Sequence, residues 1–301
     1  MNVSNKSAGH LACFLAYSIF GLNIIICRDL TSGSWLSPLA IFSLRSVFAA
    51  TAFWILSIFS LKESVEKQDF LKIFGASVFG FLLTQLTFLK GIAHITPMDC
   101  SIVTALSPIF TMFIAAIVLK EPITLKKAGG VMLSLAGLIF LIFNSAGNRG
   151  GAAETETIGL ILIILNILCF SLYLGLFKTV IGKYSVVTFM KWIFLFSTLM
   201  SLPFSAKELI ATDYAALPSN FFWELGYLVF FATIVAYYLI PVGQKSLRPT
   251  LVSMYSYVQP IIATTVSIII GMDILTWQKV IATIAVFSGV ILVNKSRAKQ
   301  E

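Results

Sequence analysis

Charge is what this sequence has least of. Only 11% of its 301 residues are Asp, Glu, Lys or Arg, against 58% hydrophobic. A soluble domain is near a quarter charged. A chain this poor in charge cannot cover a globular surface in water, so lipid must be the solvent for much of it. Other absences narrow the function. No G-x-x-x-x-G-K-[ST] loop occurs and no connecting stretch is long enough to house a nucleotide-binding domain, which excludes a one-chain ATP-driven pump. No H-E-x-x-H or G-x-S-x-G occurs, and the two histidines, His10 and His94, fall near the ends of apolar stretches. An intramembrane enzyme or receptor is therefore not expected, nor is a metal or cofactor. The four cysteines, Cys13, Cys27, Cys100 and Cys169, have no ligand spacing and read as small packing residues. None of the 13 acids lies midway along an apolar stretch, where many proton-coupled carriers keep one. That favours facilitated movement or exchange. Nothing resembles a channel's selectivity filter.

What is present is length without charge. Ten apolar stretches recur, at roughly 11–28, 38–61, 70–90, 98–119, 126–143, 157–178, 186–206, 221–241, 250–271 and 277–294, each about the length that crosses a bilayer as a helix. Backbone in lipid must satisfy its own hydrogen bonds, and the two-residue alternation of a membrane barrel is missing. The expected fold is all-α and integral to the membrane. No A-x-A site follows the first stretch, so it reads as a span and not as a cleaved leader.

The net charge of +8 orients the chain and does not point to nucleic acid. With a cytoplasmic N-terminus and a change of side at every span, fourteen of the 21 Lys and Arg lie inside, five outside, and Arg45 and Lys191 within spans. This is the positive-inside bias. It predicts a plasma membrane protein, in a bacterium the inner membrane, with both termini cytoplasmic and lipid as its surroundings. A homodimer is compatible with this reading.

Sliding the sequence on itself by 152 residues brings Gly91 onto Gly243, Pro97 onto Pro249, Ser101 onto Ser253, Pro108 onto Pro260, Glu121 onto Asp273 and Gly137 onto Gly289. Registered glycines, prolines and acids carry weight where matched leucines would not. Each half, 1–147 and 148–301, therefore holds five spans. Five is odd, so the second half enters the membrane upside-down. The expected architecture is ten transmembrane helices as two inverted five-helix repeats, a plan of secondary transporters whose substrate site lies near the midplane between the repeats. Pro108 and Pro260 fall at mid-span. Each removes an amide donor and crowds the carbonyl of Thr104 or Ser256 one turn back, which predicts paired bends. They are candidate hinges, or kinks that only improve packing. Ser253, Ser256, Tyr257, Pro260, Thr264 and Ser267 share a helical face, as do Ser101, Thr104 and Pro108. Such stripes line a cavity or let helices pack closely.

These residues resemble the drug/metabolite transporter superfamily in its ten-helix EamA-type form. The resemblance rests on F-G-L-N (Phe20–Asn23), S-P-L-A-I-F-S-L-R (Ser37–Arg45), the block from Gly91 to Gly130 containing A-L-S-P-I-F and L-K-E-P-I-T, T-I-V-A-Y (Thr233–Tyr237) and Y-S-Y-V-Q-P (Tyr255–Pro260). It implies alternating-access transport of small organic metabolites, often outward, through a cavity enclosed by the first four spans of each half and braced by the fifth. Phe20 stands where the family usually has Trp, and Asp273 where it usually has Glu.

The polar residues set in hydrocarbon are the candidate site. Arg45 lies about 10 Å into the second span at 1.5 Å per residue. Its guanidinium either holds a carboxylate or phosphate of the substrate or snorkels and bonds helix-end carbonyls. Lys191 lies nearer an end. Asn23, Gln85, Asn166, Tyr173, Tyr237, Tyr255, Ser256, Tyr257 and Gln259 are uncharged candidates for the cavity wall, or partners in interhelical hydrogen bonds. Arg45 favours an amino-acid-like cargo. Glu121 and Asp273 read as stabilisers of tight turns.

Overall fold

The computed structural model describes residues 3–60, 63–119, 125–145, 155–272 and 274–295. The proposed boundary at 147/148, and Glu121 and Asp273 with their turns, lie outside them. The described residues form ten long helices: α1 (Val3–Ser32), α2 (Pro38–Ile58), α3 (Lys67–Ile92), α4 (Pro97–Val118), α5 (Leu125–Ser145), α6 (Thr157–Leu176), α7 (Val186–Ala211), α8 (Ser219–Ser246), α9 (Pro249–Ile269) and α10 (Trp277–Lys295). Among the described residues no strand occurs, and eight of these helices are long and apolar enough to cross a membrane. Leu, Ile and Phe fill their outer faces, and large apolar side chains such as Phe59, Ile117, Phe204, Trp223 and Trp277 stand exposed, as lipid-facing residues must.

Several helix starts are written in the sequence. Ser37 caps α2 by accepting the amide of Ala40, and Thr96 caps α4 by accepting that of Asp99, each followed by proline in the first turn. Ser185 caps α7 by accepting the amide of Thr188. A hydroxyl takes an otherwise orphaned amide, and proline there gives up a donor that was never used.

Four helices are broken, and the breaks come in pairs. α4 loses its regular path at Ala105–Leu106, between Pro97–Thr104 and Ser107–Leu119. α9 tightens into a 3₁₀ turn at Tyr255–Tyr257. Pro108 and Pro260 sit in the first turn of the segments that follow, so each interruption falls just before its proline. A first-turn proline needs no intrahelical partner for its nitrogen. The other pair has no proline. α3 widens into a π turn at Val78–Leu82 and α8 into one at Phe230–Val235, 152 residues apart at their first residues.

Helices pack chiefly across the two halves. α5 lies on α10, α2 on α7, α1 on α8 and α9, and α6 on α3 and α4. The core is thus the seam between the halves. Close approach is built from small side chains. A Cβ on Gly289 would stand 2.4 Å from the Gly130 carbonyl oxygen and 2.7 Å from the Ser134 amide nitrogen, distances that backbone cannot yield. Ser134 Oγ donates to the carbonyl of Val286, 3.0 Å away and 152 residues on.

Polar ties join the halves at both ends of the bundle. At one end Asp69 on α3, 3% exposed, accepts from Lys183 Nζ at 2.6 Å, Tyr184 Oη at 2.8 Å and Lys72 Nζ at 2.8 Å. At the other, Asp99 on α4 accepts from Thr155 Oγ1 at 2.6 Å and faces Lys279 Nζ at 3.4 Å. The antiparallel α2 and α7 are clamped reciprocally. Glu208, at the end of α7, accepts the amide and hydroxyl of Ser37, both at 2.6 Å. Glu63, after the end of α2, accepts the amide of Ser185 at 2.9 Å.

Candidate functional site

Midway along the bundle lies a cavity with about 570 Å³ of empty space, counting the part open to solvent. α1 gives it Tyr17, Phe20, Asn23 and Ile24, and α6 gives Asn166, Ile167 and Phe170. α3 gives Thr84, Gln85 and Phe88, and α8 gives Tyr237. Thr104 and Ser107 come from the break in α4, Ser256 and Gln259 from the break in α9. Three of these sets are repeat equivalents 152 residues apart: Gln85 with Tyr237, Thr104 with Ser256, and Ser107 with Gln259. Each helix break therefore presents short polar side chains to the same space. Among the described residues no Asp, Glu, Lys, Arg or His lines the cavity. Tyr17 Oη and Ser256 Oγ, both buried, have no hydrogen-bond partner among the described residues and remain available to a guest.

Behind the wall sits Arg45, fully buried at 0% exposure. Its Nε donates to Thr233 Oγ1 at 2.8 Å and its Nη1 to Gln85 Oε1 at 2.5 Å. Thr233 in turn donates to the carbonyl of Leu228 at 2.7 Å, reaching back over the π turn of α8. Gln85 Nε2 donates to Tyr237 Oη at 2.7 Å. The guanidinium carbon lies 5.9 Å from the centre of the Phe81 ring. Among the described residues Nη2 has no hydrogen-bond partner and no ion pair includes Arg45. Phe20, Phe81 and Phe194 pack edge-on around the Tyr237 ring at 4.9–6.1 Å between centroids, which fixes the hydroxyl in place.

The EamA-like transporter family model matches residues 7–143 and again residues 157–295. The chain belongs to the EamA-like transporter family. It is 24% identical over 265 residues to an uncharacterised transporter of Archaeoglobus fulgidus, covering 87% of this chain and 91% of that one. It is 21% identical over 301 residues to an uncharacterised transporter of Bacillus subtilis, with 95% and 96% covered. It is 26% identical over 246 residues to an S-adenosylmethionine/S-adenosylhomocysteine transporter of Chlamydia muridarum, covering 76% of this chain and 74% of that one. A solved crystal structure superposes with a TM-score of 0.64 at 16% identity, over 97% of this chain and 96% of the other; that likeness concerns the fold. The protein is a membrane-embedded transporter of this family.

In this EamA-like protein the cavity gathers Asn23, Gln85, Asn166, Tyr237, Ser256 and Gln259 from the polar residues expected there. Five others stand elsewhere. Arg45 meets the cavity only through Gln85, because α2 is the outer neighbour of α3 and α8 and contributes no lining residue. Tyr173 is buried against Gly80, where a Cβ would lie 2.3 Å from its ring; its bulk fills the space a side chain would take. Lys191 places Nζ 5.0 Å from the centre of the Trp54 ring, turned along the α2–α7 pair. Tyr257 packs on Phe287 of α10 at 5.4 Å. Tyr255 pairs with His10 Nδ1 at 2.6 Å. Asn166 spends its amide on the Thr84 carbonyl at 2.7 Å, so it both lines the cavity and ties α6 to α3. Ser107 is the wall residue most readily missed. Its signal is the 152-residue shift from Gln259, applied to the residue beside Pro108. Phe170 stands in α6 as Phe20 stands in α1, and neither carries a polar mark.

Proposed function

We propose that this EamA-like protein exports amino-acid-like metabolites by alternating access, with residues 1–147 and 148–301 as the two repeats that exchange conformations. The observation that carries the reading is the cavity itself. Equivalent residues of the two halves line it together, and the helices that supply Thr104, Ser107, Ser256 and Gln259 are interrupted at the wall. Broken helices at a repeat interface are the usual place for a carrier's midplane site. Pro108 and Pro260 are the proposed hinges, each just beyond an interruption where the backbone has fewest bonds to break. The Chlamydia relative is named for two amino-acid derivatives, which agrees with an uncharged polar wall backed by a buried cation. The positive-inside count supports a bacterial inner membrane location with cytoplasmic termini.

The test is counterflow in proteoliposomes holding the purified protein and a panel of labelled amino acids and their derivatives. Saturable uptake accelerated by the same compound on the other side is expected. Flux that rises linearly with concentration, without that acceleration, replaces the carrier with a channel-like facilitator.

A further inference from the structure

The hydrogen bonds around Arg45 leave one proton with only one place to go. A guanidinium has five N–H donors and no acceptor. Whatever touches Arg45 Nη1 must therefore be an oxygen, and at 2.5 Å that atom is Gln85 Oε1. With the oxygen committed to Arg45, the other end of the same amide is its NH₂, which lies 2.7 Å from Tyr237 Oη. An NH₂ only donates, so Tyr237 must accept. The reverse amide orientation would set NH₂ against guanidinium, donor against donor. Tyr237 therefore keeps its own O–H, and its hydroxyl makes no other hydrogen bond among the described residues. Tyr237 lines the cavity, and its ring is held by three phenylalanines, so the hydroxyl oxygen is held at the wall and its free proton can turn to an acceptor there.

Two features make that donor stronger than an ordinary tyrosine hydroxyl. The bonds run head to tail, from cation to amide to phenol, and each polarises the next. The cation at their origin is fully buried and forms no ion pair among the described residues. The same charge disfavours a positive group placed at this spot.

We propose that Tyr237 Oη–H, set by Arg45 through Gln85, is the point at which the cavity recognises its cargo, and that the group recognised is a carbonyl or carboxylate oxygen. Arg45 and Gln85 are positioning residues in this scheme; Tyr237 makes the contact. The proposal rests on the transport reading above and sharpens it, since it requires an acceptor oxygen on the cargo.

Matched pairs that differ only in the carboxylate test it: leucine with isopentylamine, methionine with 3-(methylthio)propylamine, phenylalanine with phenethylamine. Each is added to the purified full-length protein for thermal stabilisation, and to proteoliposomes for transport. Wild type should prefer the acid member by about tenfold or more, the size of one hydrogen bond to a charged acceptor. Tyr237→Phe keeps the ring and removes the proton, and should erase that preference. Gln85→Glu is the sharper variant. It is nearly isosteric and pairs with Arg45, but its second oxygen takes the Tyr237 proton and turns it from the cavity. It too should erase the preference, with elution and melting like wild type. If both variants fold and still favour the acid members as wild type does, the relay is wrong while the transport reading stands. If wild type neither binds nor moves any compound of the panel, the amino-acid-like reading falls and the relay with it.

Discussion

Glu63 and Glu208 are each one carboxylate placed against the first turn of a helix from the other half. Burial draws the Glu63 carboxyl upward, but the Ser185 amide and the hydroxyls of Thr188 and Ser185 outweigh it, and its pKa lies below the ordinary 4.5. A group whose folded pKa is depressed adds stability above its ordinary value and loses it as the pH falls through the folded one. Glu63→Gln should therefore melt below wild type at pH 7. The gap should close as the pH drops past 4.5 toward the lowered value, which a series of thermal melts in detergent at fixed salt would follow. A gap that stays constant down to pH 3 would mean the charge is not what holds Ser185. Little of this was legible at the residue scale. Arg45 stands out as a cation in hydrocarbon, yet its partners come from α3 and α8, and only their crossing brings Gln85 and Thr233 to it. Glu63 and Glu208 sit in stretches that read as connecting segments, and nothing local marks them as caps for distant helices.

At the scale of elements, the spacing of small residues decides which helices touch. Gly289 on α10 admits α5 at backbone contact, whereas a Cβ on Gly226 of α8 would meet nothing within 4 Å. The same substitution should thus act oppositely at the two sites. Gly289→Ala forces the α5–α10 pair apart and should cost about 1–3 kcal/mol. Gly226→Ala should be neutral or stabilise by up to about 1 kcal/mol, through the better helix propensity of alanine. Unfolding of the purified variants measures both. Elements were the most legible layer. All ten helices coincide with apolar runs, and the cap at Ser37 and the prolines at 97 and 249 mark starts. The π turns at Val78–Leu82 and Phe230–Val235 have no proline to mark them, and Gly80 in the first has no counterpart in the second; they are fitted to tertiary packing around Tyr173, Phe81 and Thr233. The breaks in α4 and α9 were legible in outline, since their prolines announced them, though each break lies before its proline.

For the whole molecule, the ties at its two ends sort the loops into two groups. Glu63, Asp69 and Lys183 meet at one end, and Ser37, Glu208, Asp99 and Lys279 at the other. A single cysteine at Lys67 and one at Asp213 should be labelled by an impermeant maleimide from opposite faces of right-side-out vesicles. Both are made in a Cys169→Ser background, since Cys169 is only half-buried while Cys13, Cys27 and Cys100 are buried. Labelling of both from one face would remove the inverted arrangement. The repeat itself was visible in the 152-residue register of glycines and prolines. Its interlocking was not, because a sequence shift shows that two halves are alike and says nothing of which surfaces they share.

The pairing of Gln85 with Tyr237 has a further consequence. In a dimer of identical half-length chains, a residue on the twofold axis meets its own copy. Two glutamines or two tyrosines facing each other have no preferred sense, and a buried arginine on one side would be matched by a second on the other. Joining the halves into one polypeptide lifts that constraint, so that one partner can become amide and the other phenol. Polarity along such a chain of bonds, with a lone cation at its head, belongs to duplicates that have been free to drift apart.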